Sequence, residues 1–252
     1  MDECSQANTF ASLSESSPQS RFDPALRELL ADSVRLFAGL DDAALDVLLA
    51  LSRQTTVKAR EIVCRKGEPG DALFIVVSGK LKVTNQSEDG RELILAILED
   101  GETFSEMSLL DGQPRSASVT AVQDSNLLVI KRQDFLAYLE QQPKAAIALL
   151  VILSTRLREM DSLMGDMRFL DIRSRLAKTL ARLALQHGRT AGNGSIRIDL
   201  KLSQEDLGNL ICATRESVNK QLKQWEGEGV LECSQGSFII HHMPVLQGIA
   251  TG

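Results

Sequence analysis

The chain has 252 residues, 43% of them hydrophobic and 25% charged, which is the composition of a globular protein of about two domains. It has no run of about eighteen apolar residues and no basic segment followed by an apolar one near its start, which argues against a membrane span and a secretory signal. Its four cysteines are scattered without metal-ligand spacing, so we expect reduced thiols, a cytoplasmic location and no bound metal.

The net charge of −6 is distributed unevenly along the chain. Residues 168–223 include eleven Lys or Arg and five Asp or Glu, a net charge of +6, so the remainder carries −12. A basic segment attached to an acidic body is typical of a DNA-binding domain joined to a sensory domain. The alternative is a basic helical surface that is only solvated.

The first half of the chain is predicted to contain a tail, a helical region and a β domain. Residues 1–22 are rich in serine and lack periodicity, which indicates a disordered tail. Apolar spacing predicts helical structure over residues 23–52. Glycines at eleven-residue intervals then separate short β-branched or alternating runs, which predict an antiparallel barrel or sandwich. The predicted strands are 61–65, 73–78, 81–85, 93–98, 116–123 and 126–131.

After a short predicted helix at 133–139 and a break at Pro143, one long helix is predicted over residues 144–170. Its apolar side chains follow one another at steps of three and four residues: Leu150, Leu153, Leu157, Met160, Met164 and Met167. This spacing is typical of a coiled-coil seam, so we expect a parallel two-stranded coiled coil and a dimer. The alternative is a core helix within one domain.

The C-terminal part is predicted to be largely helical. A helix from Ile172 should end at His187 with Gly188 as its C-cap, and a short strand should follow at 196–200. Ser203 begins a sequence like a capping box, and Thr214 can cap a second helix after a tight turn. Two short helices followed by a hairpin at 230–240 predict a helix-turn-helix with a wing. A two-helix corner in an unrelated helical domain is the alternative.

The segment 104–117, FSEMSLLDGQPRSA, is the most specific string in the chain. Residues 105–110 are predicted to form a short helix whose free N–H groups favour an anion. Arg115 offers a planar fork and Ser116 a hydroxyl to a phosphate, and Glu106 would accept a hydrogen bond from a neighbouring sugar hydroxyl. Together they predict a pocket for a cyclic nucleotide. The alternative is a surface ion pair between Glu106 and Arg115.

This string resembles the phosphate-binding cassette of the cAMP receptor protein and fumarate–nitrate regulator (CRP/FNR) family of bacterial transcription regulators. Phe169-Leu170-Asp171 and the segment 214–220, TRESVNK, resemble the family's hinge and recognition helix, and the resemblance extends over residues 34–243. It implies an α+β chain of two domains. These are a cyclic-nucleotide-binding β-barrel (jelly roll) in 23–142 and a winged helix-turn-helix in 171–252, joined by a dimerisation helix in 143–170.

The resemblance implies that Arg115 and Ser116 hold the cyclic phosphate and Glu106 the ribose 2′-hydroxyl of a cyclic nucleotide, either cAMP or a related one. The family's adenine-binding Thr-Ser pair corresponds to Met160 and Asp161 here. Methionine cannot make the same hydrogen bonds, whereas Asp161 could accept one from an exocyclic amine. Ser105 stands where the family has Gly, and Ser108 where it usually has Gly or Ala, so we expect less room for the backbone to approach the ligand. The predicted ligand-binding residues are Glu106, Met107, Ser108, Arg115, Ser116, Met160 and Asp161.

The same resemblance implies a palindromic DNA operator as partner and recruitment of RNA polymerase. Arg215 would bind guanine and Glu216 would accept a hydrogen bond from cytosine. Lys220 stands where the cAMP receptor has Arg, so we expect softer discrimination at that base pair. The predicted DNA-binding residues are Lys201, Ser203, Thr214, Arg215, Glu216, Ser217 and Lys220.

The sequence therefore predicts a homodimeric transcription regulator gated by a cyclic nucleotide, and not an enzyme. The ligand would shift the population of two states by changing the angle at the hinge. One alternative is a regulator with a degenerate pocket, constitutive or thiol-responsive through Cys64 or Cys212. Another is a nucleotide-binding subunit that acts on a protein partner. A nucleotide hydrolase is excluded because no base–nucleophile pair or metal ligands accompany the cassette.

Overall fold

The computed structural model describes residues 24–191, 194–198, 200, 202–234 and 237–250. The predicted tail, residues 1–22, lies outside the described residues. The chain begins with helix α1 (Pro24–Ser33), a 3-10 turn (Arg35–Phe37) and helix α2 (Asp42–Ala50). The side chain of Asp41 caps α2 by accepting the Ala44 N–H at 2.8 Å. The helical prediction was wrong at its end, because Ser52 already belongs to a strand.

Eight antiparallel strands follow, in two four-stranded sheets with the orders β1-β8-β3-β6 and β2-β7-β4-β5. They are β1 (Ser52–Val57), β2 (Ile62–Cys64), β3 (Ala72–Ser78), β4 (Leu81–Gln86), β5 (Glu92–Leu98), β6 (Thr103–Phe104), β7 (Ser118–Ala121) and β8 (Ser125–Lys131). The six predicted strands are present. β1 and β6 were not predicted, because β1 is mostly polar and β6 has only two residues.

The sheets enclose one apolar core and rest on a second. Between them lie alternate side chains of both sheets, including Phe74 and Phe104, whose rings stack with centroids 4.8 Å apart. The opposite faces of β3 and β8 pack against the helices through residues such as Ile75 and Leu128. These two strands are therefore buried on both faces, which explains their nearly continuous apolar sequences.

Three helices complete the N-terminal part: α3 (Glu106–Asp111), α4 (Arg132–Gln141) and α5 (Pro143–Phe169). Pro143 is the first residue of α5, where its missing N–H costs no helical hydrogen bond. The fully buried residues of α5 all lie in its first half, the last of them being Ile152. The second half of α5 therefore extends beyond the core of the sheets.

After α5, Leu170 is extended and the side chain of Asp171 caps α6 (Ile172–His187) by accepting the Ser174 N–H at 2.7 Å. The helix ends at His187 with Gly188 as its C-cap, which confirms the prediction; Gly188 has φ −77° and is also the first residue of the next strand. Glycine is needed there because an added Cβ would lie 2.1 Å from the carbonyl oxygen of Ala184.

The C-terminal part combines a four-stranded sheet, order β11-β12-β10-β9, with four helices around one core. Its further elements are β9 (Gly188–Thr190), β10 (Ile196–Ile198), α7 (Gln204–Ile211), α8 (Arg215–Gly227), β11 (Leu231–Ser234), β12 (Ser237–Ile240) and α9 (Met243–Ala250). β9 and α9 were not predicted. The facing sheets, the long helix and the winged helix-turn-helix confirm the predicted fold class.

Candidate functional site

The cassette, residues 104–117, is built around helix α3. Ser105 precedes the helix in the left-handed conformation with φ 73°, and Gly112 follows it with φ 71°. Arg132 Nε donates to the Leu109 carbonyl at 2.7 Å, which ties the C-terminal end of α3 to the start of α4. The short helix is therefore bounded at each end by a residue in the left-handed conformation.

Glu106 is 3% exposed, which contradicts the alternative of a surface ion pair with Arg115. Its Oε1 accepts a hydrogen bond from Arg156 of α5, and the same guanidinium donates to the Thr103 carbonyl. Glu106 Oε2 and Thr103 Oγ1 are buried and have no hydrogen-bond partner among the described residues. A carboxylate oxygen remains available for a further donor.

Arg115 is 4% exposed and is fixed by its backbone and its side chain. Its backbone N–H donates to the Glu68 carbonyl at 2.9 Å. Its Nη1 donates to Ser105 Oγ, and its guanidinium carbon lies 5.5 Å from the centroid of the Phe74 ring. Its Nη2 lies 3.8 Å from Asp71 Oδ1, beyond hydrogen-bond distance. A buried guanidinium without a bonded carboxylate is suited to binding an anion.

A cavity of about 740 Å³ adjoins these groups and extends between the β4–β5 hairpin, α5 and α6. Its walls include six of the seven predicted ligand residues: Glu106, Met107, Ser108, Arg115, Ser116 and Met160. Asp161 is exposed and is not among the lining residues of this single chain. Ser108 packs closely against Gly70, where an added Cβ would lie 2.2 Å from the Ser108 Cβ.

Arg156 and Thr103 are among the polar residues of this cavity that were not predicted as ligand-binding residues. One available signal for Arg156 was its spacing, because it lies four residues before Met160 and therefore on the same helical face. Thr103 offered no signal, since its strand has two residues and its role depends on contact with α5.

The helix-turn-helix, α7 and α8, is capped as predicted. Ser203 accepts the Asp206 N–H at 3.0 Å while Asp206 accepts the Ser203 N–H at 2.9 Å, which is a complete capping box. Thr214 Oγ1 accepts the Ser217 N–H at 3.2 Å. The turn contains Cys212 with φ 53°, and an added Cβ on Gly208 would lie 2.6 Å from the Ala213 carbonyl oxygen. The two helices therefore approach closely.

Most predicted DNA contacts lie on the outer surface of these helices. The buried face of α8 is formed by Val218, Leu222 and Trp225. Ser203, Thr214, Arg215, Glu216 and Lys220 are exposed, and Ser217 is half-buried. Lys201 lies outside the described residues. The arrangement presents one guanidinium, one carboxylate and one ammonium along the exposed side of a helix, which are groups that bind base edges in a major groove.

Comparison with known proteins matches each half of the chain to a known domain family. The cyclic nucleotide-binding domain model matches residues 54–142, and the Crp-like helix-turn-helix domain model matches residues 174–249. The cyclic AMP receptor protein of Thermus thermophilus is 34% identical over 217 residues, which cover 86% of this chain and 97% of that protein. The chain belongs to the CRP/FNR family of transcription regulators.

Further relatives agree with this assignment. A CRP-like cAMP-activated global transcriptional regulator of Mycobacterium tuberculosis is 32% identical over 205 residues, which cover 81% of this chain and 91% of that protein. The solved structure of a c-di-GMP responsive global regulator of Xanthomonas campestris matches with a TM-score of 0.71 at 25% identity, over 80% of this chain and 99% of that one. The family comprises regulators that bind DNA, not enzymes, and this member is a cyclic-nucleotide-binding regulator.

In this family member the predicted coiled-coil seam is largely solvent-exposed in the single chain. Leu150, Leu157, Met160, Met164 and Met167 are all exposed, and only Leu153 is half-buried against the core. Ile147 and Val151 add exposed apolar surface in the first half of the helix. The exposed stripe contradicts the alternative that α5 is a core helix throughout.

The three described cysteines differ in environment. Burial raises the pKa of Cys64, whose side chain lines the cavity beside Arg115. Burial, together with the carboxylate of Glu226, raises the pKa of Cys233 to about 12. Cys212 is exposed, and its Sγ lies 3.9 Å from Met167 Sδ. A thiol with a raised pKa is less reactive, because the thiolate is the nucleophile.

Among the described residues, no group of three or more His, Cys, Asp or Glu residues is arranged to hold a metal ion. No single helix in the described ranges is long and apolar enough to cross a membrane. The bent pair α4 and α5, at 113° to each other, meets that test only when the two are taken together, by length and composition.

Proposed function

We propose that the protein is a homodimeric, sequence-specific DNA-binding regulator gated by a cyclic nucleotide in its N-terminal domain. The observation that supports this most strongly is the hydrogen bond from Arg156 of α5 to Glu106 of the cassette. A ligand at the cassette would therefore engage a residue that is already bonded to the long helix. The signal would pass from the cassette to α5 in a single contact.

In the proposed complex, Arg115 Nη2 and Ser116 bind the cyclic phosphate, and Glu106 Oε2 accepts the ribose 2′-hydroxyl. Both buried atoms, Nη2 and Oε2, lack a hydrogen-bond partner among the described residues, and an unpaired buried polar atom is costly until a ligand satisfies it. Met107 and Ser108 form the neighbouring wall. Met160 would pack against the base through its thioether rather than by hydrogen bonding.

The proposed dimer forms along the seam of α5. An isolated exposed stripe of Leu and Met at heptad spacing is stabilised by a partner helix with the same stripe. Asp161, exposed on the same helix, would then lie at or near the partner subunit. Its proposed contact with an exocyclic amine depends on the dimer.

Gating would act at the hinge between α5 and α6. Lys178 Nζ lies 2.6 Å from Asp166 Oδ1, so a salt bridge spans the hinge while Leu170 between the helices is extended. A ligand that moves α5 against the cassette would change the population of hinge angles. The two recognition helices, α8 of each subunit, would then meet successive major grooves about 34 Å apart, the usual half-site spacing of helix-turn-helix dimers.

DNA recognition is assigned to α8 and the residues that cap it. Arg215 would form two hydrogen bonds to guanine, Glu216 would accept one from cytosine, and Lys220 would contact guanine without the planar fork. Ser203, Thr214, Ser217 and Lys201 would contact phosphates, which orient the protein without selecting sequence. By family analogy the bound dimer recruits RNA polymerase in the cytoplasm.

The effector is proposed to be cAMP, because one relative at 32% identity is named a cAMP-activated regulator and another at 34% identity is named a cyclic AMP receptor protein. A cyclic dinucleotide is the second candidate, since a similar structure is named as c-di-GMP responsive and the cavity extends beyond the cassette to α6. The cavity is wide enough in that direction to include Arg182 and Gln186. The two ligands differ in size and in the number of phosphates.

Calorimetric titration with cAMP, cGMP and c-di-GMP would test the proposal. We expect saturable binding of cAMP, and loss of at least about tenfold in affinity for Arg115→Ala, because a charge-assisted hydrogen bond to phosphate is removed. Arg53→Ala, at an exposed position on β1, is the control and should bind normally. If c-di-GMP binds more tightly than cAMP, c-di-GMP would be assigned as the effector instead of cAMP. No binding of any of the three would overturn the gating proposal.

A further inference from the structure

The β4–β5 hairpin packs directly onto the helix-turn-helix. Ile94 of β5 is 2% exposed and belongs to the same buried cluster as Leu207 and Leu210 of α7. Ile97 packs against the same cluster. Ile94 of the sensory domain is thus part of the core of the DNA-binding domain. The centre of the interface between the two domains is therefore apolar and shielded from water.

Polar contacts bind one end of this interface to α7. Lys82 Nζ lies 2.7 Å from Glu92 Oε1 and 3.5 Å from Asp206 Oδ1. Asn209 Nδ2 donates to the same Glu92 oxygen at 3.5 Å. Burial by itself would lower the pKa of Lys82, but the hydrogen bond and charge of Glu92 outweigh it and the pKa is raised. The ammonium therefore stays charged between two carboxylates.

Asp206 serves two partners with its two oxygens. Oδ2 accepts from the backbone N–H and the hydroxyl of Ser203 in the capping box of α7, at 2.9 and 2.7 Å. Oδ1 is the atom that faces Lys82. The first turn of the helix-turn-helix is therefore fixed locally by its cap and, through the same carboxylate, to the sensory domain.

The other end of the interface is bound to α6. His187, the last residue of α6, places Nδ1 2.7 Å from Glu99 Oε2, a close contact that lacks hydrogen-bond geometry, and Lys80 pairs with the other oxygen of Glu99. Burial would raise the pKa of Glu99, but the neighbouring His187 and Lys80 outweigh it and the pKa is lowered. The two ends together restrain both α6 and α7 against one hairpin.

The DNA-binding face remains open in this arrangement. Arg215, Glu216 and Lys220 are exposed in the full chain, so the hairpin holds the domain without covering its recognition helix. A contact that orders a domain while leaving its binding surface free reduces the entropy lost on binding. The contact therefore orders the domain and leaves its recognition helix accessible.

We propose that Lys82, Glu92 and Glu99 are positioning residues for DNA recognition: they hold α7 through Asp206 and Asn209, and α6 through His187, so that α8 is presented in one orientation. None of the three hairpin residues touches DNA in this proposal. Their removal acts only by loosening the DNA-binding domain.

The decisive variant exchanges the two charges of the hairpin, Lys82→Glu together with Glu92→Lys. Positions 82 and 92 can still form an ion pair with each other, but the new carboxylate at position 82 faces Asp206 and repels it. The residues of the capping box are unchanged. The matched control is Asp89→Arg together with Arg91→Asp, which exchanges an exposed pair 2.8 Å apart at the tip of the same hairpin. His187→Gln weakens the other end of the interface and is an independent second variant.

Hydrogen–deuterium exchange of the full-length protein measures the interface without any ligand. We expect faster exchange of the amides of β5 and the start of α7 in the charge-exchanged variant and in His187→Gln, with no change in the control. Equal exchange in all four proteins, each with the melting behaviour of the wild type, would overturn the proposal.

DNA affinity measures the consequence for recognition. With a duplex selected by the wild-type protein from a random library in the presence of cAMP, we expect the charge-exchanged variant to bind at least about fivefold more weakly. Unchanged affinity would reduce the interface to a structural role, and tighter binding would make it autoinhibitory, so either result overturns the positioning role. Failure of the wild type to select any duplex would contradict the proposed function, and the exchange experiment would still decide whether the interface holds the domain.

Discussion

Arg156 of the long helix donates a hydrogen bond to the buried carboxylate of Glu106, joining residues fifty positions apart in the sequence. The same guanidinium donates to the Thr103 carbonyl, so one side chain fixes the cassette and the strand before it to α5. Glu106 keeps its second oxygen free. The cassette and the long helix are therefore in direct contact beside the proposed ligand site.

Replacement of Arg156 should destabilise the protein by leaving a buried carboxylate without its partner. For Arg156→Gln we expect a loss of about 3 kcal/mol in the free energy of unfolding, the cost typical of breaking a buried ion pair on one side. Urea denaturation measures it. Arg158→Gln, at an exposed position two residues along the helix, should have little effect. Adding Glu106→Gln to Arg156→Gln should recover part of the loss, and no recovery would contradict the pairing.

Leu157 is 64% exposed on the seam of α5, and we expect Leu157→Asp to dissociate the proposed dimer. A charge in the centre of an apolar coiled-coil seam loses hydration without gaining a partner. Sedimentation velocity measures the change in mass. The control is Leu185→Asp on α6, where the leucine is 77% exposed and lies off the seam. A wild-type monomer, or a dimer that persists in Leu157→Asp, would contradict the assigned interface.

Glu216 is proposed to accept a hydrogen bond from one cytosine in each half-site. Glu216→Ala should relax the choice at that base pair, with a loss of about 1–3 kcal/mol of discrimination. Selection of duplexes from a random library by both proteins gives the comparison. Lys223→Ala, which removes an exposed ammonium from the same helix, should weaken binding evenly and leave the consensus unchanged. An unchanged consensus for Glu216→Ala would show that the register is different.

The cysteines should differ in alkylation rate, which bears on the thiol-responsive alternative. At pH 8, well below the pKa of about 12 for Cys233, almost no thiolate is present at that position, so iodoacetamide should label it very slowly. Burial and a raised pKa should also protect Cys64, whereas exposed Cys212 should be labelled first among the three described cysteines. Peptide mass spectrometry measures the order. Rapid labelling of Cys64 in the native protein would favour a thiol-responsive cavity.

The sequence by itself determined the elements whose causes are local. Alternation predicted six of the eight strands of the sheets, because side chains of a strand point to opposite faces in turn. The caps at Ser203 and Thr214 were visible because an N-cap side chain binds an N–H only two or three residues away. The apolar stripe of α5 was visible in its three- and four-residue steps, because residues at that spacing lie on one face of a helix.

Only the tertiary structure decided which distant residues meet. The bond from Arg156 to Glu106 and the contact of Lys82 with Asp206, 124 residues apart, depend on how helices and sheets stack, which local periodicity does not specify. The extended backbone of Gly188 has the same origin, because glycine is needed there for a close approach and not for a left-handed cap. Periodicity reports which face of an element is buried, whereas packing alone selects the surface that buries it.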